Sequence, residues 1–512
     1  MFKYKGIICL ISLLIFCSSI YGSDYVEPMV TIGNRMTSSI YQGNTLIPTY
    51  TPTSPITFTE PYMTIEGIPT FRGNYERSDA SFGFSDITNH QLEKSWQFST
   101  HSSSWGGGAG WTGQPVIMNW PYDIRQMVNI YPEFKTKSDF VEVIYGSLSG
   151  YVYFLDLHTG KPSRPAIKVG NPIKGSVSVD PRGLPLLFVG EGIPENGSIG
   201  LNIYSLLDGS RLTRINGIDP VAKRGWGAFD SAALVDRETD TLIQTGENGL
   251  LYLIKLNSHL DRTAKKVSIS PEIYKYKYQI KGEKKYGIEG SPAIYKNLIY
   301  FADNSGHIQC VNLATLTPVW LINSGDDTDS SITLSIENNI PYVYTGNEID
   351  HQGTSGICTL RKINGLTGQI IWENKYPCKS IIGEKAVNGG LLATNVVGQH
   401  SIDNLVIFSI ARYETMNAGL IVALDKTTGE TVWSKPMKHY MWSSPVAFYK
   451  ADGTAYLIQC DSIGNMFLLD AKTGDTFHSI NLGSNIEASP IFYKDYIVVA
   501  PRGNKIVGIK VK

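Results

Sequence analysis

The sequence predicts an all-β protein, an eight-bladed β-propeller of four-stranded antiparallel blades, and three observations carry that prediction. The first is composition: 512 residues include 50 Gly and 29 Tyr with only 18% charged residues. Runs of Val, Ile and Thr bounded by Gly, Asn and Asp are the mark of short strands and turns. The second is a recurring unit of apolar strand, polar turn and second strand. It reads "FLDLHTGKP" (154–162), "NLATLTPVW" (312–320), "KINGLTGQIIW" (362–372), "ALDKTTGETVW" (423–433) and "LLDAKTGDTF" (468–477). The third is a small-residue motif that counts the units. "WTGQPV" (111–116), "IKGSVS" (173–178), "AFDSAA" (228–233), "IEGSPA" (288–293), "TDSSIT" (328–333), "VNGGLL" (387–392), "MWSSPV" (441–446) and "IEASPI" (486–491) make eight copies.

A chain of this length holds either several cores or one repetitive domain, and the repeat decides for the second. Gly, Ala and Ser at the third and fourth motif positions suit an inner strand crowded around a central axis. Each copy is followed by an apolar strand such as "LIYFAD" or "YIVVAP", then by the turn unit with its outer strand. The last copy supplies three strands and stops, while "LEKSWQFST" (92–100) stands alone ahead of the first, with Trp96 in the outer-strand position. That N-terminal strand is expected to complete the eighth blade and close the ring, leaving no edge open.

The flanks differ from the repeats. Lys3 and Lys5 precede an apolar run from Ile7 to Phe16, and small residues lead to Gly22, so residues 1–22 read as a signal peptide and the mature protein as exported. A lipid anchor on Cys17 is the alternative, disfavoured by the bulky Phe16 before it. Residues 23–89 form a Thr/Pro-rich extension, read as an extended or surface-wrapping segment, and residues 90–512 form the propeller. Cys358 and Cys378 flank "TLRKINGLTGQIIWENKYP". A hairpin turning at "GLTG" sets them nearly opposite, so an oxidising compartment predicts a disulfide; two buried thiols are the alternative. A net charge of −1 with dispersed Lys and Arg argues against nucleic acid or anionic lipid as partner. No later segment is long and apolar enough for a membrane span.

The second position of each inner motif is expected to face the axis at one mouth: Thr112, Lys174, Phe229, Glu289, Asp329, Asn388, Trp442 and Glu487. Among these, Glu289, Asp329, Asn388, Trp442 and Glu487 are channel-mouth candidates, since carboxylates, an amide and an indole suit a hard cation under a flat ring. The plainer reading is a solvated mouth. The acidic run "GDDTDSS" (325–331) likewise reads as a solvated turn. Nine scattered His and the lack of a G-x-S-x-G elbow give no catalytic constellation. Partner-binding candidates are the aromatic and basic residues around the inner-strand starts: Trp105, Trp111, Arg224, Trp226, Tyr440 and Trp442.

The turn-and-Trp unit, the "GSP" and "SSP" inner strands and "FRGNYERSDASFG" (71–83) together resemble the pyrroloquinoline-quinone-type (quinoprotein-like) repeat propellers. The likeness runs from about Phe71 to Lys512. That group holds quinone-dependent dehydrogenases and cofactor-free relatives, including the propeller lipoproteins of outer-membrane assembly. The resemblance implies structural roles for Gly368, Trp372, Gly429 and Trp433. The dehydrogenases carry the quinone (PQQ) with calcium in the central funnel, often with a ring of two adjacent cysteines, and no adjacent cysteines occur here. The expected function is therefore an exported, cofactor-free scaffold that binds protein partners in the cell envelope or extracellular space. The alternatives are a PQQ dehydrogenase with calcium or a glycan-binding module.

Overall fold

The computed structural model describes residues 25–32, 36–110, 112–383 and 386–512. Residues 1–22, with Cys9 and Cys17, and Trp111 lie outside the described residues. Eight antiparallel sheets surround a central axis, as the repeat predicts. Their inner strands are Val116–Met118, Ser178–Val179, Leu234–Asp236, Ala293–Tyr295, Thr333–Glu337, Val396–Val397, Val446–Tyr449 and Ile491–Tyr493. The fourth blade is representative: Ala293–Tyr295 pairs with Leu298–Ala302, that with His307–Asn312, and that with Thr317–Asn323. Middle strands such as Leu298–Ala302 are buried along their whole length because both faces pack against neighbouring blades. The ring closes where Leu92–Ser99 pairs with Lys505–Val511, opposing Trp96 to Gly508.

Neighbouring blades are joined at two radii. At the rim, Trp96, Trp320, Trp372 and Trp433 each donate the indole N–H to a carbonyl of the next blade's turn: Leu157 (2.7 Å), Gly365 (2.7 Å), Lys426 (3.1 Å) and Ala471 (3.2 Å). The turn glycine packs on the same ring, and its φ of +75° at Gly429 is open to Gly at little cost. Near the axis, the fourth motif position passes hydroxyl groups from blade to blade. Ser291 N–H donates to Ser331 Oγ (2.8 Å), Ser331 N–H to Thr394 Oγ1 (3.2 Å), Thr394 N–H to Ser444 Oγ (2.9 Å) and Ser444 N–H to Ser489 Oγ (3.3 Å). Ser therefore recurs there as an acceptor for an inner-strand N–H that would otherwise be buried unpaired, and not for its size alone.

Thr394 also corrects the reading of the sixth blade. It takes the fourth motif position, and the inner strand is Val396–Val397, so the true copy is Leu391–Val396. "VNGGLL" lies one loop earlier, and Leu392 replaces Asn388 as the second-position residue.

The segment ahead of the propeller is ordered on it. Met36–Gln42 and Thr45–Ile47 extend the third blade outward, Met36–Gln42 pairing with Glu272–Ile280. Residues 67–85 then cross the axis and bond every blade in turn. Their partners include Ile117, Val179, Ala233, Ile294, Leu334, Asn395, Tyr449 and Phe492. Two fully buried guanidiniums anchor this plug. Arg77 donates to the carbonyls of Pro292 (2.9 Å), Phe71 (2.8 Å) and Ala232 (2.7 Å), and Arg72 to those of Pro445 (2.6 Å) and Asn395 (2.5 Å). The acceptors Pro292, Ala232, Pro445 and Asn395 lie one or two residues ahead of the inner strands Ala293–Tyr295, Leu234–Asp236, Val446–Tyr449 and Val396–Val397. The plug therefore caps the axis at the level of these strands, and the starts of the inner motifs face the other, open end.

The expected Cys358–Cys378 bridge is not formed; both are free, buried thiols. The register pairs Gly356 with Cys378 and Cys358 with Tyr376, which makes the cysteines diagonal neighbours. The two thiols nevertheless touch, and burial together with the adjoining Cys378 side chain holds the Cys358 thiol well above its ordinary pKa. Among the described residues, no helix is long and apolar enough to cross a membrane.

Candidate functional site

At the open end, the loops entering the inner strands enclose a funnel cavity of about 390 Å³. The inner motifs contribute Lys174, Asp329, Leu392, Trp442 and Glu487, and the loops ahead of them contribute Trp105, Trp226 and Asn388. Glu348, in the short strand Glu348–Ile349, and Arg502 follow the second strands of blades five and eight. The repeat thus directs the second-position side chains of five blades, Lys174, Asp329, Leu392, Trp442 and Glu487, toward a shared space, because equivalent positions in rotated blades point at the axis.

Its floor is crowded with carboxylates. Lys174 Nζ lies 2.5 Å from Asp230 Oδ2, 2.9 Å from Glu289 Oε1 and 4.0 Å from Glu247 Oε1. Burial opposes its charge, but Asp230, Glu289 and Glu247 outweigh burial and hold the ammonium well above its ordinary pKa. Arg224 lies 3.8 Å from Glu247 Oε2 and donates to Asn304 Oδ1 (3.0 Å), whose amide in turn donates to Asp327 Oδ2 (3.0 Å). Arg502 lies 3.5 Å from Glu487 Oε2 and donates to the Trp105 carbonyl (2.7 Å). Asn388 donates to Glu348 Oε1 (2.8 Å), and the Trp442 indole to the Asn388 carbonyl (3.2 Å).

This leaves one wall short of positive charge. Asp327, Asp329 and Glu348 converge, with carboxylate oxygens within 4.8 Å of one another. Asp327 Oδ1, Asp329 Oδ1 and Glu348 Oε2 are buried without a hydrogen-bond partner among the described residues. Burial, with Glu289 and Asp350 nearby, pushes the Asp327 carboxyl up to about 8. Burial and mutual repulsion hold Asp329 and Glu348 well above the usual carboxylate range, the behaviour expected of like charges in a dry site.

The structure brings together Asp329, Asn388, Trp442, Glu487, Trp105 and Trp226 at one cavity. Glu289 sits beneath it on Lys174, and Arg224, its side chain about a third exposed, lies beside Glu247 outside the cavity lining. Tyr440 flanks Trp442, ring centroids 5.7 Å apart, and carries the Arg412 guanidinium 4.2 Å over its face. Phe229 is core, tilted against Tyr252. The "GDDTDSS" run is no solvated turn: Asp326, Asp327 and Asp329 are all buried. Sequence reasoning missed Glu247 and Glu348, which follow the second strand of their blades in "TGENG" and "TGNEID". An acidic residue recurs at that turn as Glu191, Glu247, Asp303, Glu348 and Asp461, and this was the available signal.

A family model described as "Outer membrane protein assembly factor BamB" matches residues 417–512, the outer half of blade six and the last two blades. BamB from Moraxella catarrhalis is similar in structure, with a TM-score of 0.50 at 15% identity over 82% of this chain and 98% of that one. A europium-containing methanol dehydrogenase gives 0.42 at 14% identity, covering 87% and 98% of the two chains. The quinohemoprotein alcohol dehydrogenase from Comamonas testosteroni gives 0.44 at 13%, covering 87% and 80%. No curated protein matches the sequence. The resemblance to quinoprotein-type repeat propellers is borne out, and at these identities the structural likeness concerns the fold.

Proposed function

We propose that the chain is an exported, cofactor-free scaffold of the cell envelope that captures a protein partner in the mouth of its funnel. The observation that carries this reading is the convergence of Trp105, Trp226 and Trp442 on one cavity closed below by the plug. Indoles in a concave mouth are the usual anchors of protein recognition. Trp105 is 50% exposed, leaving its ring free to be covered. Export is supported by the character of residues 1–22, and an envelope role by the description of the matched family model.

The acidic floor argues against the quinone alternative. Pyrroloquinoline quinone is a tricarboxylate, and in this cavity it would face Asp329, Glu348 and Glu487. Lys174 and Arg502 are already engaged by carboxylates. Without a cation bridging Asp327, Asp329 and Glu348, these residues repel the carboxylates of the quinone. The test is capture of a partner from an envelope extract by the wild-type chain and by the Trp105→Ala/Trp226→Ala/Trp442→Ala variant. The scaffold reading expects saturable capture that the variant loses while its circular dichroism and melting temperature are unchanged. Equal capture by both would reject the funnel mouth as the docking site.

A further inference from the structure

We propose that the funnel mouth receives a basic side chain of the partner, the ammonium of a lysine or the guanidinium of an arginine. This rests on the docking reading above and names the chemistry of what docks. Three observations point to it. Asp329 and Glu348 line the cavity at 7% and 1% exposure, and each keeps one oxygen without a hydrogen-bond partner among the described residues. A buried carboxylate oxygen left unpaired is costly until a donor reaches it. The cations within reach are already committed: Lys174 to Asp230 and Glu289, Arg224 to Glu247 and Asn304, Arg502 to Glu487. The remaining walls include the indoles of Trp105, Trp226 and Trp442 beside Leu148, Ile193 and Leu392. Aromatic rings above two carboxyls that give up their protons as a cation arrives make a cation–π and ion-pair pocket for an organic cation on an apolar stem.

A bare divalent cation is the competing occupant, since the oxygens of Asp327, Asp329 and Glu348 lie within 4.8 Å of one another. Such an ion accounts for three carboxylates. It leaves unexplained the tryptophan walls and a cavity of about 390 Å³, both of which an arginine or lysine side chain uses. A basic side chain also answers the charge of the site without needing the near-complete oxygen shell of a hard cation.

The full chain is titrated, in buffer with a chelator, with acetyl-Gly-Gly-Xaa-Gly-Gly-amide in which Xaa is Lys, Arg, norleucine or Glu. Calorimetry and tryptophan emission are the readouts. The Lys or Arg peptide is expected to bind at least about tenfold more tightly than the norleucine peptide, with affinity falling as salt rises. That advantage disappears in Asp329→Asn/Glu348→Gln and in Glu348→Gln alone, variants whose melting temperature stays at or above the wild-type value. The proposal is overturned if neither basic peptide binds at millimolar concentration. Equal binding of norleucine or Glu peptides overturns it too, as does stoichiometric calcium binding that excludes the basic peptides. Partner capture separates the two readings. Loss of capture in the triple tryptophan variant with full capture by Asp329→Asn/Glu348→Gln leaves the scaffold standing and removes the basic side chain; full capture by both removes both.

Discussion

The Nζ of Lys174, on the second blade, lies 2.9 Å from Glu289 Oε1, on the fourth, and 2.5 Å from Asp230, on the blade between them. One buried ammonium therefore ties three blades across the funnel. Removing one partner of a buried ion pair leaves the other charge uncompensated, which costs more than the pair contributes. Lys174→Met is expected to lose about 3–5 kcal/mol of stability, and Glu289→Gln in the same chain to restore part of it. Chemical denaturation midpoints of the two variants measure this.

The acidic wall predicts an unusual pH dependence. The Asp327 carboxyl holds its proton up to about pH 8 in the folded chain, against an ordinary value of 3.8. Glu76 and Asp236 are likewise raised by burial, to about 7 and about 6. Between the unfolded and folded values the folded state binds more protons, so stability falls as pH rises through that window. The melting temperature is expected to be higher at pH 5 than at pH 8.5. Asp327→Asn is expected to flatten the upper part of the slope, where Asn304, Glu289 and Asp350 face the group. A rise in melting temperature from pH 5 to 8.5 contradicts the charge assignment.

At the rim, a Cβ added to Gly429 would lie 2.7 Å from Trp372 Cγ, at a φ of +75°. Gly429→Ala is therefore expected to cost about 1–3 kcal/mol by pushing the sixth blade's turn off its neighbour's indole. Gly282, with nothing within 4 Å of the added Cβ but φ of +94°, isolates the backbone share of that cost. Thermal melts of the two alanine variants provide the comparison.

The plug depends on Arg77, whose guanidinium reaches four acceptors, Thr70 Oγ1 among them at 3.0 Å. Lysine offers a point charge in place of that planar fork. Arg77→Lys is expected to cost at least about 3 kcal/mol, as carbonyls of blades three and four lose their donor. Hydrogen exchange should then rise across residues 67–85 ahead of the blades.

The ring itself was legible because its signals are local and periodic: small inner motifs, turn glycines, and a stray Trp96 whose partner strand was missing. What escaped was set by pairing across blades. Ser331 and Ser444 read as small residues, although their hydroxyls serve the neighbouring strand. Gly389 and Gly390 imitated an inner motif that Thr394 truly occupies. Cys358 and Cys378 needed a turn centred one residue later to stand opposite each other. Lys174, Asp329, Trp442 and Glu487 line one cavity because equivalent positions share an axis, whereas Asn388 reaches it from the loop ahead of its motif. Glu247 and Glu348 entered from loops outside the motif, and burial, which made Asp327 and Asp329 part of the site, is a tertiary property that an acidic run does not display.

The most direct test of the scaffold places a photo-crosslinking amino acid at Trp105, in the funnel mouth, and in a second chain at Phe477, on the outer strand of blade seven. Both are irradiated in the native cell. Docking at the mouth predicts a discrete protein adduct from position 105 and none from position 477. Adducts only from position 477, or the same adduct from both, would contradict it.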